Sequence, residues 1–166
     1  MTESCDTPPQ GAACRPGSVR SVPDVLMDSS LSPEKPTRRN ASVLIVEDDP
    51  TVRDVWQRLL NGFGYDVVAA GDAKEAVTLL AHRPDVAVLD VHLPGASGIW
   101  LADEIRRTSP TTAVVLATGD GSLSAADTIR PGVVAYLVKP FHLDQLSAAV
   151  DAGARWSEQQ RKGIRH

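Results

Sequence analysis

Polar side chains that could carry out chemistry stand directly after short apolar runs of this chain. In chain order they are Glu47, Asp48, Asp49, Asp90, Thr118 and Lys139. Carboxylates that converge within a few ångströms repel one another, and a cation keeps them ionised. All-oxygen ligands favour a hard ion, and a site with few carboxylates that retains several waters suits Mg²⁺ better than Ca²⁺. If the fold brings these residues together, we therefore expect a magnesium site.

Five apolar runs predict the strands that carry these side chains. The runs are Val43–Val46, Val67–Ala70, Val86–Leu89, Ala113–Ala117 and Val133–Val138. Each run is apolar almost throughout, which is typical of parallel strands covered by helices on both faces. In open parallel sheets the ligand site lies at the carboxyl ends of the strands. We therefore expect the polar residues to meet at one rim of the sheet.

Amphipathic segments between the runs predict five helices. The first carries an apolar stripe at i, i+3, i+4, i+7, i+8 and i+11 that begins at Val52, includes Val55 and ends at Phe63. The four later helices are predicted from a cap at Asp72, from a cap at Ser97, over Ser122–Ile129, and from about His142 with Leu143 facing inward. The Ser122–Ile129 helix is short and polar and therefore marginal.

Alternating strands and helices in about 115 residues predict an α/β fold. The expected architecture is a doubly wound, five-stranded parallel sheet with helices on both faces. The length excludes a (β/α)₈ barrel, which typically needs ~250 residues. Dinucleotide-binding and P-loop folds need a glycine-rich turn where this chain has Glu47 to Pro50. Acids in place of glycines at that turn favour a cation over a phosphate.

The chain is predicted to hold one ordered domain, residues 41–155, between two tails. Residues 1–40 contain six of the twelve prolines, with five acids and five bases. They show no sustained apolar period and predict a disordered, Pro/Ser-rich leader. Its Cys5 and Cys14 support neither a disulfide framework nor a four-ligand zinc site. Residues 156–166 form a basic C-terminal tail, for which a solvated helix end is the favoured interpretation.

Charge and hydropathy exclude two classes of partner. The net charge of −4 gives no general basic footprint for nucleic acid, so direct nucleic-acid binding is disfavoured. No apolar run reaches the ~18–20 residues of a membrane span, and the leader lacks a signal-peptide layout. We therefore expect a cytoplasmic protein without membrane association.

The motifs at the strand ends occur in an order known from one family. VLIVEDDP, LDVHLPGASG, VLATG and YLVKPF follow one another along the chain. Together they resemble the receiver domain of bacterial two-component response regulators, whose minimal form is the chemotaxis protein CheY. The resemblance covers about Ser42–Ala154. It implies a flavodoxin-like, CheY-like sheet with strand order 2-1-3-4-5, the order that doubly wound proteins such as CheY have.

The resemblance implies a phosphoryl-transfer site. Asp90 would accept the phosphoryl group from a sensor histidine kinase, a phosphotransfer protein or a small phosphodonor. Lys139 would place a positive charge at a phosphate oxygen, and Thr118 a hydroxyl donor.

The resemblance also implies the ligands of Mg²⁺. Asp48 and Asp90 would hold the ion directly, Glu47 would lie near it and act through water, and the backbone carbonyl of His92 would complete the set. Glu47 stands where many family members have Asp.

Two positions keep open alternatives. Asp49 is as well placed to cap the first helix as to take a metal role. The His92 side chain is favoured as a solvent-facing loop residue over a metal ligand, because no second His or Cys accompanies it at zinc-like spacing.

The resemblance further implies how the signal leaves. In this family the hydroxyl of a threonine moves toward the bound phosphoryl group. An aromatic residue of the last strand then moves with the threonine. Thr118 and Tyr136 occupy these two positions. The output would be contact with an unidentified downstream protein through the fourth helix, fifth strand and fifth helix, and a phosphorylation-dependent dimer is left open.

Three functional hypotheses follow. The first is a single-domain response regulator, a phosphoacceptor switch that assists its own phosphorylation and dephosphorylation and is not otherwise an enzyme. The second is a transcriptional response regulator whose DNA-binding output domain is missing from this chain, which the length of 166 residues disfavours. The third is an Asp-nucleophile phosphatase of similar fold. Such enzymes carry a DxD motif at the first strand, whereas here the expected acceptor is on the third strand and Asp90-Val91-His92 lacks the second acid.

Overall fold

The computed structural model describes residues 40–119, 121, 126 and 129–164. The predicted leader, with Cys5 and Cys14, lies outside these residues apart from Asn40. Most of the predicted helix Ser122–Ile129 lies outside them as well. In the part of the chain that is described, no helix combines the length and the apolar character needed to cross a membrane.

Five parallel strands form one sheet. They are β1 (Ser42–Val46), β2 (Asp66–Ala70), β3 (Val86–Asp90), β4 (Ala113–Thr118) and β5 (Val133–Val138). Their order across the sheet is β2-β1-β3-β4-β5, and every neighbouring pair is parallel. The predicted doubly wound, CheY-like sheet is thereby confirmed. β1, β3 and β4 lie inside the sheet and are almost entirely buried, which explains their continuous apolarity.

Four helices are bounded by the described residues. They are α1 (Pro50–Gly62), α2 (Ala73–Leu79, continued by a 3₁₀ turn over Leu80–His82), α3 (Gly98–Thr108) and α4 (Leu143–Ile164). Side-chain caps start the first three: Asp49 accepts from the Thr51 amide, Asp72 from Glu75 and Ser97 from Trp100. Each cap satisfies a backbone N–H that has no partner within its own helix.

Two apolar clusters cover the two faces of the sheet. One joins β1, β3 and β4 to α1 and α4 and includes Ile45, Trp56 and Val150. The other joins the same strands to α2 and α3 and includes Leu44 and Leu101. Full burial of a side chain of this size contributes about 1.5–3 kcal/mol, so the two clusters hold the helices against the sheet.

The buried face of the helices is narrower than the apolar stripes predict. On α1, Trp56 and Leu60 are buried, but Val55 and Phe63 are 47% and 52% exposed. Leu143, expected to face inward, is also exposed. These three expectations were wrong because α1 presents only a narrow strip to the sheet and Leu143 is the first residue of its helix.

The predicted basic tail is helical over its described part. α4 continues without a break from Leu143 through Ile164. Ser157 is completely buried, Trp156 packs against the α1/α4 cluster, and Arg161 forms an ion pair with Asp85. Arg161 also donates to the Arg83 carbonyl at 3.1 Å. The end of α4 therefore belongs structurally to the domain.

Candidate functional site

The strand order brings the predicted acids to one rim. Glu47 and Asp48 follow β1, and Asp90 is the last residue of β3, which lies beside β1 in the sheet. One carboxylate oxygen from each of the three residues lies within 4.8 Å of the others. Glu47 and Asp90 are buried, whereas Asp48 is exposed. The convergence expected from the sequence is therefore present.

Lys139 bridges the two buried acids. Its Nζ lies 2.7 Å from Glu47 Oε2 and 3.0 Å from Asp90 Oδ2. Lys139 directly follows β5, so its side chain reaches past the end of β4 to arrive at β3 and β1. The side chains of Glu47 and Asp90 are 2% and 8% exposed, and that of Lys139 is 26% exposed. The three residues form a network in which one cation serves two carboxylates.

Burial and charge act in opposite directions on this network. Burial raises the pKa of the Glu47 carboxyl above its ordinary value, although the hydrogen bond from Lys139 opposes the shift. Burial alone would lower the pKa of Lys139, but its hydrogen bonds with Glu47 and Asp90 outweigh that effect and raise it. Lys139 is therefore fully protonated at neutral pH and acts as a fixed positive charge.

The second carboxylate oxygen of Asp90 also has a donor. Asp90 Oδ1 accepts from the His92 backbone N–H at 3.0 Å. The His92 side chain is exposed, as the favoured interpretation of this residue expected. The structure therefore fixes the orientation of the Asp90 carboxylate from two sides, by an amide and by an ammonium group.

Gly98 allows α3 to begin directly against Asp90. A Cβ atom at this position would lie 2.2 Å from the Asp90 carbonyl oxygen. The Gly98 amide donates to the Val91 carbonyl at 2.9 Å. A side chain would push the helix away from the strand end, which gives the glycine eight residues after Asp90 a physical reason.

Asp49 caps α1. Its Oδ1 accepts from the amides of Thr51 at 2.8 Å and Val52 at 3.3 Å. The Asp49 amide in turn donates to Glu47 Oε1 at 3.2 Å. Of the two alternatives that the sequence left open, the structure shows the cap, and the metal-type cluster contains Glu47, Asp48 and Asp90 without Asp49.

Arg53 is a site residue that the sequence did not reveal. Its Nη1 donates to the Glu47 carbonyl at 2.7 Å and more weakly to that of Asp48 at 3.4 Å. The guanidinium passes close to Gly71, where a Cβ would lie 3.2 Å from Nη1. Arg53 thereby ties the acidic loop to α1. The one signal in the sequence was a basic residue early in the helix that follows the acids.

Trp56 is the i+4 residue of the apolar stripe predicted for α1, and the structure buries it in the core. Lys139 Nζ lies 5.1 Å from the centroid of the Trp56 ring, and the Phe141 ring centroid lies 5.6 Å from that of Trp56. The indole is therefore part of the surroundings of Lys139 as well as of the core.

Thr118 and Tyr136 lie on neighbouring strands at the same end of the sheet. Thr118 ends β4, is completely buried, and its carbonyl accepts from the Lys139 amide at 2.7 Å. Tyr136 is partly buried on β5 and pairs with Leu116, two positions before Thr118 on β4. Their placement agrees with the switch roles expected of them, which stay predictions.

The acidic cluster fits a hard divalent cation. Its ligands are carboxylate oxygens from Glu47, Asp48 and Asp90, the donor type that Mg²⁺ prefers. Because Asp48 is exposed, one side of the cluster is open to the waters that Mg²⁺ retains. The part expected of the His92 carbonyl stays a prediction.

A family model described as the response regulator receiver domain matches residues 43–151. The chain belongs to this family. The match runs from β1 into α4 and includes all five strands. The resemblance seen in the four motifs is thereby confirmed, and the described domain is a receiver.

Two curated relatives of this receiver are transcriptional regulators. The chain is 34% identical over 113 residues to the uncharacterised transcriptional regulatory protein YrkP of Bacillus subtilis, a match covering 68% of this chain and 49% of YrkP. It is 32% identical over 119 residues to the DNA-binding response regulator MtrA of Mycolicibacterium smegmatis, covering 71% of this chain and 52% of MtrA. The chain spans about half the length of these relatives.

A solved response regulator shares the receiver fold. The crystal structure of TrrA from Thermotoga maritima, determined in complex with Mg²⁺ and beryllium fluoride, matches with a TM-score of 0.62 and 28% sequence identity. The match covers 68% of this chain and 98% of the TrrA chain.

Proposed function

We propose that this receiver is a phosphoacceptor switch of a two-component system, with Asp90 as the acceptor. A sensor histidine kinase, a phosphotransfer protein or a small phosphodonor such as acetyl phosphate would supply the phosphoryl group. The observation that carries the proposal is the position of Lys139 Nζ, 3.0 Å from Asp90 Oδ2 and 2.7 Å from Glu47 Oε2, at the ligand-binding rim.

The transfer is a displacement at phosphorus. A carboxylate oxygen of Asp90 forms a P–O bond while the bond from phosphorus to the donor breaks, and the donor leaves with the electron pair. From acetyl phosphate the leaving group is acetate, and from a phosphohistidine it is the imidazole nitrogen. Because a carboxylate is a modest nucleophile, the rate must come from positioning and from neutralising the phosphoryl oxygens.

The chain supplies both contributions. The His92 amide and the Lys139 ammonium hold the two oxygens of Asp90 in a fixed orientation. Lys139 can exchange a carboxylate partner for a phosphoryl oxygen and so remain paired throughout the transfer. The hydroxyl of Thr118, at the end of the neighbouring strand, would donate to the same group.

The acids of the rim would hold Mg²⁺. Asp48 and Asp90 are the direct ligands in this proposal, with Glu47 acting through water and the His92 carbonyl completing the set. When bound, Mg²⁺ supplies positive charge against the phosphoryl oxygens. The donor chemistry of the cluster supports this assignment, and TrrA, which was crystallised with Mg²⁺ and beryllium fluoride, has the same fold.

Phosphorylation would be communicated through Thr118 and Tyr136 to a downstream protein. The receiver acts in this proposal as a cytoplasmic switch that assists its own phosphorylation and dephosphorylation, not as an enzyme with an external substrate. Its output is contact between proteins, and dimerisation of the phosphorylated form is one such contact. That the receiver itself does not bind nucleic acid stays a prediction.

Labelling with acetyl phosphate and Mg²⁺ tests the acceptor. Mass spectrometry of the intact chain should show one added phosphoryl group, and Asp90→Asn should abolish it because the amide is not a nucleophile. Asp144→Asn, an exposed acid at the start of α4, is the matched control and should label normally. Undiminished labelling of the Asp90→Asn variant would refute the assignment.

A transcriptional regulator is the second candidate. It is favoured by one observation, that YrkP and MtrA are transcriptional regulators of which this chain spans about half. An antibody raised against the receiver, used on extracts of the source cells, separates the two. A band of the size of this chain supports the single-domain switch, and a band of about twice that size supports the regulator.

A further inference from the structure

The ammonium group of Lys139 has an aromatic partner besides its two carboxylates. Nζ lies 5.1 Å from the centroid of the Trp56 ring. This is inside the ~6 Å at which a cation is attracted to an aromatic face, and tryptophan is the strongest partner of this kind. Trp56 is only 4% exposed, so water screens the attraction little.

The Trp56 ring is held in place independently of the acids. It is carried by α1 and belongs to the apolar cluster between α1, α4 and the sheet. The Phe141 ring packs against it with a centroid distance of 5.6 Å. Since Phe141 is two residues after Lys139, one indole contacts both ends of the short segment that carries the lysine.

We propose that Trp56 is a positioning residue for Lys139 in phosphoryl transfer. The inference rests on the proposed acceptor function of Asp90. When Asp90 forms its bond to phosphorus and acetate or imidazole departs, Lys139 must turn from a carboxylate oxygen to a phosphoryl oxygen. Glu47 and Asp90 change as partners in this step, whereas the buried indole does not. The ring keeps the ammonium at the rim while its other contacts are exchanged.

A purely structural role for Trp56 makes a different prediction. A core residue is sensitive to volume, and any substitution that preserves the shape should leave the transfer rate unchanged. A cation–π partner is sensitive to the electron density of the ring, and fluorine atoms on the indole lower that density with little change of shape. The two roles can therefore be separated without creating a cavity.

The experiment uses the full chain, produced with tryptophan, monofluoro-, difluoro- and trifluorotryptophan. The rate of Asp90 labelling by acetyl phosphate is measured with Mg²⁺, and thermal unfolding is followed in parallel. We expect the rate to fall stepwise with each fluorine, by about 3- to 30-fold over the series. Because Trp100 and Trp156 are labelled too, Trp56→Phe carries the same series as the matched control and should show no trend.

Each outcome decides a separate point. A stepwise fall in the wild-type series with a flat Trp56→Phe series supports the inference. Normal labelling of Asp90 with a flat wild-type series overturns the inference and leaves the acceptor function intact. Absence of labelling in the unfluorinated wild type overturns both. Equal trends in the two series assign the effect to Trp100 or Trp156 and also overturn the role of Trp56.

Discussion

At the scale of single residues, the rim is defined by an imbalance of charge. Glu47 and Asp90 are both buried, and among the described residues one cation, Lys139, lies within hydrogen-bond distance of their carboxylate oxygens. Transfer of a charge out of water is costly unless the charge is paired. The site therefore carries more negative than positive charge, which favours the binding of a further cation.

The raised pKa of Glu47 predicts how stability depends on pH. Since burial raises the pKa, the folded chain binds this proton more tightly than the unfolded chain does. The free energy of unfolding therefore decreases as pH rises from the carboxyl pKa of the unfolded chain, ~4.3, through the higher pKa of the folded chain. Glu47→Gln cannot ionise and should lack this loss. Urea unfolding without Mg²⁺ at a series of pH values measures the difference.

The expected sign is specific. Relative to Glu47→Gln, the wild-type free energy of unfolding should decrease with pH across that acidic window and then level off. A difference that stays constant or grows with pH would contradict the assignment of a raised pKa to Glu47.

Arg53 should affect both stability and labelling. Arg53→Met removes the donor to the Glu47 carbonyl, and the loss of a hydrogen bond from a charged group costs about 1.5–3 kcal/mol. The acidic loop would then be less well fixed, so Asp90 labelling should slow. Arg58→Met on the same helix is the matched control, because Arg58 forms an exposed ion pair with Asp54 worth under about 1 kcal/mol. Equal effects of the two substitutions would argue against a role of Arg53 in fixing the acidic loop.

The sequence predicted the residues of the rim but not the contacts that support them. Glu47, Asp90 and Lys139 could be found because each directly follows an apolar run, and parallel strands end at one rim. The contacts of Arg53 and Trp56 could not be found. They depend on how far α1 lies from the acidic loop and from the end of β5, distances that no spacing within one element encodes.

At the scale of elements, the junction between β3 and α3 constrains the position of Asp90. The first helical residue, Gly98, approaches the Asp90 carbonyl so closely that a methyl group has no room. The position of Asp90 and the start of the helix are therefore set together.

Gly98→Ala should consequently damage the fold and the site at once. Overpacking costs about 1–3 kcal/mol, and a contact with backbone places this case at the upper end. Asp90 labelling should fall with the displaced strand end. Chemical unfolding measures the first effect and mass spectrometry the second. Gly163→Ala in α4 should be neutral or stabilising, because among the described residues nothing beyond the adjacent backbone of α4 lies within 4 Å of the added methyl. A Gly98→Ala variant whose stability and Asp90 labelling equal those of the wild type would refute the close approach.

Element types were predictable, but the width of the buried faces was not. Caps at Asp72 and Ser97 and the apolar runs located the helices and strands correctly. The stripe on α1 predicted burial of Val55 and Phe63, which are exposed. A periodicity shows which side of a helix faces the sheet, but the packing of neighbouring elements decides how much of that side is covered.

At the scale of the whole molecule, the end of α4 is tied back to the start of β3. Arg161 pairs with Asp85 and donates to the Arg83 carbonyl, and Asp85 also accepts from the Ser42 amide at 2.8 Å. Three elements that are distant along the chain, β1, β3 and α4, thus meet at the amino ends of the strands, opposite the acids.

Truncation should show how much the end of α4 contributes to the stability of the domain. A chain that ends after Arg155 loses Trp156, Ser157 and Arg161 and should be less stable by about 2 kcal/mol or more. A chain that ends after Lys162 keeps these residues and should unfold as the full chain does. Urea unfolding of the three chains measures both differences. Equal stability of all three chains would show that residues 156–164 do not stabilise the domain.

The separation of the rim residues along the chain also has a consequence for biosynthesis. Lys139 comes 92 residues after Glu47 and 49 after Asp90. Ribosomes add about 5–20 residues per second, so Asp90 is made seconds before the lysine that pairs with it. During that interval the nascent chain has Asp90 without Lys139, and β5 has not yet been completed. On the proposed function, we therefore expect the chain to accept a phosphoryl group efficiently only once the whole domain has been translated.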